Sequence, residues 1–486
     1  MTRHIKIALF IALALPYAAA RAQTNGALTE LYSHDGVFTA TLVAAPSKAH
    51  VGPFELDALT YNGDYAGPVL HIHPGDIMRI RLVTHLAQNT NLHFHGIRTS
   101  PLGNSDNAHL QIKPGDSFDY EIRVSTDQPT GLFWYHAHVH GVSEQQIMGG
   151  LSGTIVVEPA VPLPITTRLF VLKDMIFDDD TGNPEIDDKL YGFVQSVNGA
   201  LLTQESMRPG ETQLWRFTNH SANRTIRLAL KGHRLGIVSE DGAPITAERP
   251  VDELEVPPGT RIDVLVHSGD PGQYELTANG MMTGVGAARS PNRIIGIMEV
   301  AGGAVRSVAI PSSTLPEDLR AVRIDEKRTV SFSQTKTIKA AEQKFFLNGK
   351  IFDANRMDVR VPLGNVEEWT IRNDSDDMHV FHIHQIGFQV VEVDGVPMPF
   401  NGYVDTVRIP QRGEVKLSLP FTDRLILGRF MFHCHVLKHE DGGMMANIEI
   451  YDPAPPALSA RLSRLYMRVV WWWNGVPWSL CGLPDV

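Results

Sequence analysis

Cysteine is nearly missing from this chain: 486 residues contain two, Cys434 and Cys481. So few exclude a disulfide-stapled scaffold, and a single bridge between them is the plainest reading of Cys434. Positive charge is also short. Lys and Arg number 43 against 54 Asp and Glu, a net charge of −11. That argues against a nucleic-acid partner and mildly favours cationic ones. Long apolar runs are missing beyond the N-terminus. No later segment reaches the ~18 apolar residues of a spanning helix, so no membrane span is expected.

The N-terminus itself reads "MTRHIKIALFIALALPYAAARAQ". A basic start, an apolar run from Ile7 to Leu15 and small residues ending at Ala22 predict a secretory signal peptide over 1–22. No twin-arginine pair precedes the run, so general secretion to the periplasm or the exterior is expected. Hydrophobic residues at 43% and charged residues at 20% suit a soluble globular protein. The length suggests about three domains.

An internal repeat supports that number. Asn-Gly followed by a Gly-led strand occurs at Asn62-Gly63 with "PGDIMRIRLV", at Asn198-Gly199 with "PGETQLWRFTN", and at Asn348-Gly349 with "LGNVEEWTIRN". A second element recurs as "KPGDSFDYEIRV", "PPGTRIDVLVHS" and "QRGEVKLSLPF", and a third as "GLFWYHAH", "GQYELTAN" and "GRFMFHCH". Apolar and polar residues alternate between Gly, Pro and Asn punctuation, which predicts short antiparallel strands joined by turns. The fold class expected is all-β: three consecutive Greek-key β-sandwiches over 24–160, 161–310 and 320–453. A linker lies near 301–322, and an atypical tail follows over 454–486, with four of the seven tryptophans in its last 16 residues.

The third element carries the chemistry. Its outer copies end in His136-Ala137-His138 and His433-Cys434-His435, where the middle copy has Thr277-Ala278-Asn279. Residues i and i+2 of a strand share a face, so each His-x-His presents two imidazoles together. Two pairs fall in the first domain (His93 and His95; His136 and His138) and two in the third (His382 and His384; His433 and His435). One such pair alone is easily incidental, as His71 and His73 show. Their later counterparts are not histidines, and His140 is likewise surplus. Four pairs at matching places predict eight imidazoles converging on one interface.

By the same alternation, Cys434 faces away from His433 and His435. It would lie near His439 and Met444, with His379 able to join them. Taken singly, Cys434 reads as an inert buried thiol and Met444 as a core residue. Together, a thiolate, a thioether and two imidazoles suit copper. Zinc is the rival metal, but its structural sites seldom include Met.

The motifs "HFHG", "HAH", "HVFHIH" and "HCHVLKHEDGGM" resemble the complete signature of the multicopper oxidases, over about residues 40–453. The arrangement is most similar to bacterial three-domain laccases, spore-coat laccase among them, and to copper-efflux oxidases. The resemblance implies cupredoxin-like domains and four copper ions. His379, Cys434, His439 and Met444 would hold the type 1 ion, and His93 and His382 the type 2 ion. His95, His136 and His435, with His138, His384 and His433, would hold the type 3 pair. It also implies proton-handling roles for Glu440 and Asp106, and a low-to-medium potential from the axial Met.

The reaction so implied takes single electrons from a reductant and reduces O2 to water. Phenols or aromatic amines are the substrates expected, since the Met-rich insertion of copper-efflux oxidases is missing. The alternative is a metallo-oxidase for Cu(I), Mn(II) or Fe(II), for which Met281-Met282 is a conceivable contact. A non-catalytic copper-binding relative or a copper nitrite reductase fits less well, because every ligand position is filled.

Overall fold

The computed structural model describes residues 28–51, 54–176, 193–279, 292–308, 310, 315–335 and 343–453. The expected signal peptide, Met281-Met282, and the tail with Cys481 lie outside the described residues.

The Asn-Gly repeat shows how the chain folds locally. Asn62, Asn198 and Asn348 all adopt left-handed φ, at 57°, 52° and 51°. Asparagine tolerates this region and glycine enters it freely, so Asn-Gly makes a tight turn. Each side chain then pins the turn to a neighbouring strand, its Oδ1 accepting from the N–H of Val43, Val171 or Ser331 at 2.7 Å.

The described residues form six sheets. Sheets of five and four strands, within 30–157, make the first sandwich. Sheets of six and five make the second, within 167–300, and the same numbers make the third, within 326–451. Each pair encloses its own apolar core. Equivalent strands of the repeat bury Ile80, Trp215 and Trp369 at the same place, none more than 1% exposed. The all-β architecture of consecutive sandwiches expected from the repeat is therefore present.

Pairing sets the histidine strands side by side. His93–His95 runs antiparallel to Gly131–His136, with His93 opposite His136. In the third sandwich His379–Ile383 lies against Gly428–Cys434, with His382 opposite His433. The middle residues Ala137, Ala278 and Cys434 all turn inward and are at most 2% exposed.

One interdomain contact replaces a missing cap. Helix Ser143–Gly149 has no side-chain cap of its own. Asp441 of the third sandwich supplies one, its Oδ1 accepting from Gly141 N at 2.7 Å and its Oδ2 from Glu144 N at 2.8 Å. Asp441→Ala should therefore cost about 0.5–2 kcal/mol, the scale of an N-cap. Denaturant unfolding checks this, and an unchanged midpoint would contradict it.

Candidate metal centre

The structure brings all eight paired histidines into one cluster. His93, His95, His136, His433 and His435 are 0% exposed, and His138, His382 and His384 are 1% exposed. Burial pushes the imidazoles of His93, His95, His136, His382 and His384 well below their usual pKa, with neighbouring imidazoles adding to the effect. The same desolvation takes His138 to about 4 and His435 to about 3. Such rings are neutral at physiological pH and keep a nitrogen lone pair free.

The closest Nε2–Nε2 separations divide the cluster. His93 faces His382 at 3.4 Å. His95 lies 3.0 Å from His136 and 3.2 Å from His435. His433 lies 3.2 Å from His138 and 3.1 Å from His384. Groups of two, three and three result, the division that the resemblance implied. Ligand atoms within 4.8 Å also join His93 to His384 and to His95, because the groups pack against one another. Two neutral imidazole nitrogens this close, with lone pairs facing, repel unless a cation or a proton lies between them. The donor set therefore fits metal ions.

Ring orientation is fixed from behind. His136 Nδ1 and His433 Nδ1 lie 2.8 and 3.0 Å from the carbonyls of their neighbours Ala137 and Cys434. His382 Nδ1 lies 2.7 Å from the Asp405 carbonyl, and His93 Nδ1 lies 3.0 Å from Asp106 Oδ1. An N–H donated from Nδ1 leaves Nε2 as the ligand atom.

The second centre lies across the strand. Cys434 Sγ is 3.4 Å from His379 Nδ1 and 3.6 Å from His439 Nδ1, and the two nitrogens are 3.0 Å apart. Here both rings use Nδ1, and Ser375 Oγ holds His379 Nε2 at 2.8 Å. Met444 belongs to the same buried core cluster as Cys434. Its carbonyl accepts from Cys434 N at 3.1 Å, and its N–H donates to the His439 carbonyl at 2.9 Å. Burial pushes the Cys434 thiol up to about 12, so ionising it requires a bound cation. Cys434 is a free thiol, which sets aside the disulfide reading among the described residues. His439 is the least buried member of this centre, at 8%, with Phe345 stacked on it at 4.4 Å.

Both predicted acids border the imidazole cluster. Glu440 is 0% exposed, with Oε2 3.1 Å from His433 Nδ1 and Oε1 3.5 Å from His138 Nε2. Neither oxygen receives a hydrogen bond, since the His433 N–H is aimed at the Cys434 carbonyl. Asp106 accepts at Oδ2 from Gln385 at 2.6 Å, and burial pushes its carboxyl well above the usual range.

Three residues near the cluster were not expected: Arg261 and Asp241 of the second sandwich and Asp405 of the third. Arg261 donates to both oxygens of Asp405 at 2.7 Å. Burial outweighs that partner and pushes Asp405 up to about 7. Asp241 occupies the Asp-Gly turn of "EDGAP", which recurs as "VDGVP" in the third sandwich, the only hint the sequence offers. A cavity of about 1290 Å³ between the domains reaches His93, His382 and Asp405. His71 pairs instead with Glu158 at 2.7 Å, and His140 packs on Phe352; neither joins the cluster.

Comparisons with known proteins give the family. Three family models, each described as multicopper oxidase, match residues 47–161, 174–303 and 323–454. Multicopper oxidase mco of Staphylococcus haemolyticus is 27% identical, over 81% of this chain and 84% of its own. Cell division protein FtsP of Escherichia coli K12 is 26% identical, over 81% and 85%. Among solved structures, a Campylobacter jejuni multicopper oxidase described as a metallo-oxidase superposes with a TM-score of 0.75 at 23% identity, covering 87% of this chain and 94% of that one. The chain belongs to the multicopper oxidase family.

Proposed function

We propose that the protein is a laccase-like oxidase that takes electrons one at a time from phenols or aromatic amines at the His439 edge. The observation that supports this most is the two-sided strand. Cys434 meets His379 and His439 on one face, while His433 and His435 enter the imidazole cluster on the other.

On this reading His379, Cys434, His439 and Met444 hold one copper. His93 with His382, His95 with His136 and His435, and His138 with His384 and His433 hold three more. Copper bound there supplies one-electron transfer and the four-electron reduction of O2 to water. The chain does the rest. Cys434 is bonded through the backbone to both neighbouring histidines, a covalent path of a few bonds between the centres. Asp106 and Glu440 stand beside the cluster, where four protons must be delivered for each O2. The interdomain cavity admits O2 and releases water.

Scattered methionines support the laccase-like substrate class. Met378, Met431, Met444 and Met445 are buried, and the partly exposed Met357 and Met398 stand singly rather than in a Met-rich insertion. Metal-ion oxidation is the second reading, favoured by the net charge of −11. A non-catalytic copper-binding role would not need twelve intact ligand positions. The remaining part of the proposal is export by a signal peptide over 1–22.

Copper-loaded protein should show an intense blue band, one narrow-hyperfine and one ordinary copper signal in EPR, and a spin-silent pair. Oxidation of a phenolic dye should be faster than that of Cu(I) or Mn(II). The reverse order of rates would favour the metallo-oxidase.

A further inference from the structure

The second sandwich supplies none of the imidazoles, yet its Arg261 is fully buried beside them. We propose that Arg261 is a positioning residue for the cluster: by clamping Asp405 it fixes the rings of His382 and His95 and so retains the copper assigned to His93 and His382. The proposal rests on the oxidase reading above.

A buried guanidinium is costly unless every donor is matched. Here the two terminal nitrogens, Nη1 and Nη2, donate to the Asp405 carboxylate at 2.7 Å each. Nη1 also donates to the Gly259 carbonyl at 2.9 Å, Nη2 to the Asp241 carbonyl at 3.3 Å, and Nε to the Leu132 carbonyl at 3.4 Å. All five N–H donors are engaged, on residues of all three sandwiches. Asp241 closes the clamp from the other side. Its Oδ1 accepts from Arg261 N at 2.9 Å, and its Oδ2 accepts from Thr406 N at 2.9 Å and Thr406 Oγ1 at 2.6 Å.

The backbone at Asp405 and Thr406 is thus held on both sides, and it ends on the cluster. The Asp405 carbonyl accepts His382 Nδ1 at 2.7 Å, which leaves His382 Nε2 facing His93 Nε2 at 3.4 Å. Asp405 Oδ1 is also 3.6 Å from His95 Nδ1, a buried nitrogen with no hydrogen-bond partner of its own. One residue therefore stands behind imidazoles of two different groups, by its carbonyl and by its carboxylate. Space around the guanidinium is closed as well: a Cβ on Gly96 would lie 2.9 Å from Arg261 Nη2. A mere domain tie could be built from apolar residues at no loss of stability. It would have no reason to end on the carbonyl that orients an imidazole. Lysine cannot substitute, because its single ammonium does not span both carboxylate oxygens as the planar fork does.

The test uses the full, copper-loaded protein with Arg261→Lys and Arg261→Met. Glu255→Gln serves as the control; it cuts the Arg408–Glu255 pair, 3.3 Å long, between the same two sandwiches. Copper per chain, blue absorbance and the ordinary EPR signal are read after dialysis against a chelator. Both Arg261 variants should keep the wild-type blue band yet retain the ordinary-signal copper about 10–100-fold more weakly, the scale on which partners behind metal ligands act. The control should keep all of its copper. If Arg261→Met does not fold, Arg261→Lys decides alone. Full retention with unchanged hyperfine splitting in the folded variant would overturn the proposal and leave Arg261 a domain tie. Wild-type protein without a blue band would instead overturn the oxidase reading beneath it.

Discussion

Cys434→Ser should abolish the blue absorption and oxidase turnover while leaving the protein folded. The argument is one of ligand chemistry. Sγ sits 3.4 and 3.6 Å from two imidazole nitrogens in a pocket that solvent does not reach. Unmetallated, the thiol is protonated, since burial lifts it to about 12. A cation bound by His379 and His439 would ionise it, and only the thiolate has the soft, covalent sulfur that gives a blue site its intensity. Serine is nearly the same size, so the core around Trp369 and Phe432 keeps its packing. Its hydroxyl offers neither softness nor an accessible charge. The loss should exceed the ~10–100-fold that follows removal of groups behind a ligand. The measurement is the visible spectrum and dye-oxidation rate of the variant after copper loading, with circular dichroism as the fold control. A blue band surviving in Cys434→Ser would sink the assignment of this centre.

How much of this was legible beforehand varies with the kind of signal. The repeat was plain because turns have few solutions: Asn62, Asn198 and Asn348 each had to accept left-handed φ beside a glycine. The imidazole cluster was legible because strand periodicity is two, so that a motif of three residues already states which side chains share a face. The same rule placed Cys434 on the opposite face. Arg261 and Asp405 were not legible. They are isolated residues 144 positions apart, joined only when three sandwiches close on one another. Nothing in "PPGTRIDVLVHS" distinguishes Arg261 from the exposed arginines of other strands. Nor could Asp441 be recognised as a cap for Ser143–Gly149, because the helix and its cap lie in different domains. Local pattern encodes local geometry, whereas contacts between domains have no period to read.

Glu440→Gln should lower steady-state turnover by about 10²–10⁴-fold, the usual worth of a positioned proton donor. It should do so without removing copper or the blue band. Glu440 is wholly buried and touches two imidazoles assigned to the cluster, yet neither of its oxygens is satisfied by a protein donor. A stabilising role would end in hydrogen bonds, since an unmatched buried carboxylate is expensive. Proton delivery would explain the exception, because a relay needs oxygens that are free to accept and release. Glutamine keeps the shape and the packing beside His439 but cannot carry a proton between oxygens. The two half-reactions separate the explanations. Reductant should bleach the blue band at the wild-type rate, because the His439 edge is untouched. Recovery of the band on admitting O2 should be slow, because that step consumes the protons. Glu440→Asp, which restores the carboxylate on a shorter arm, should recover part of the rate. Equal reoxidation rates in Glu440→Gln and wild type would show that the protons reach O2 by another path, with Asp106 behind His93 the next residue to change.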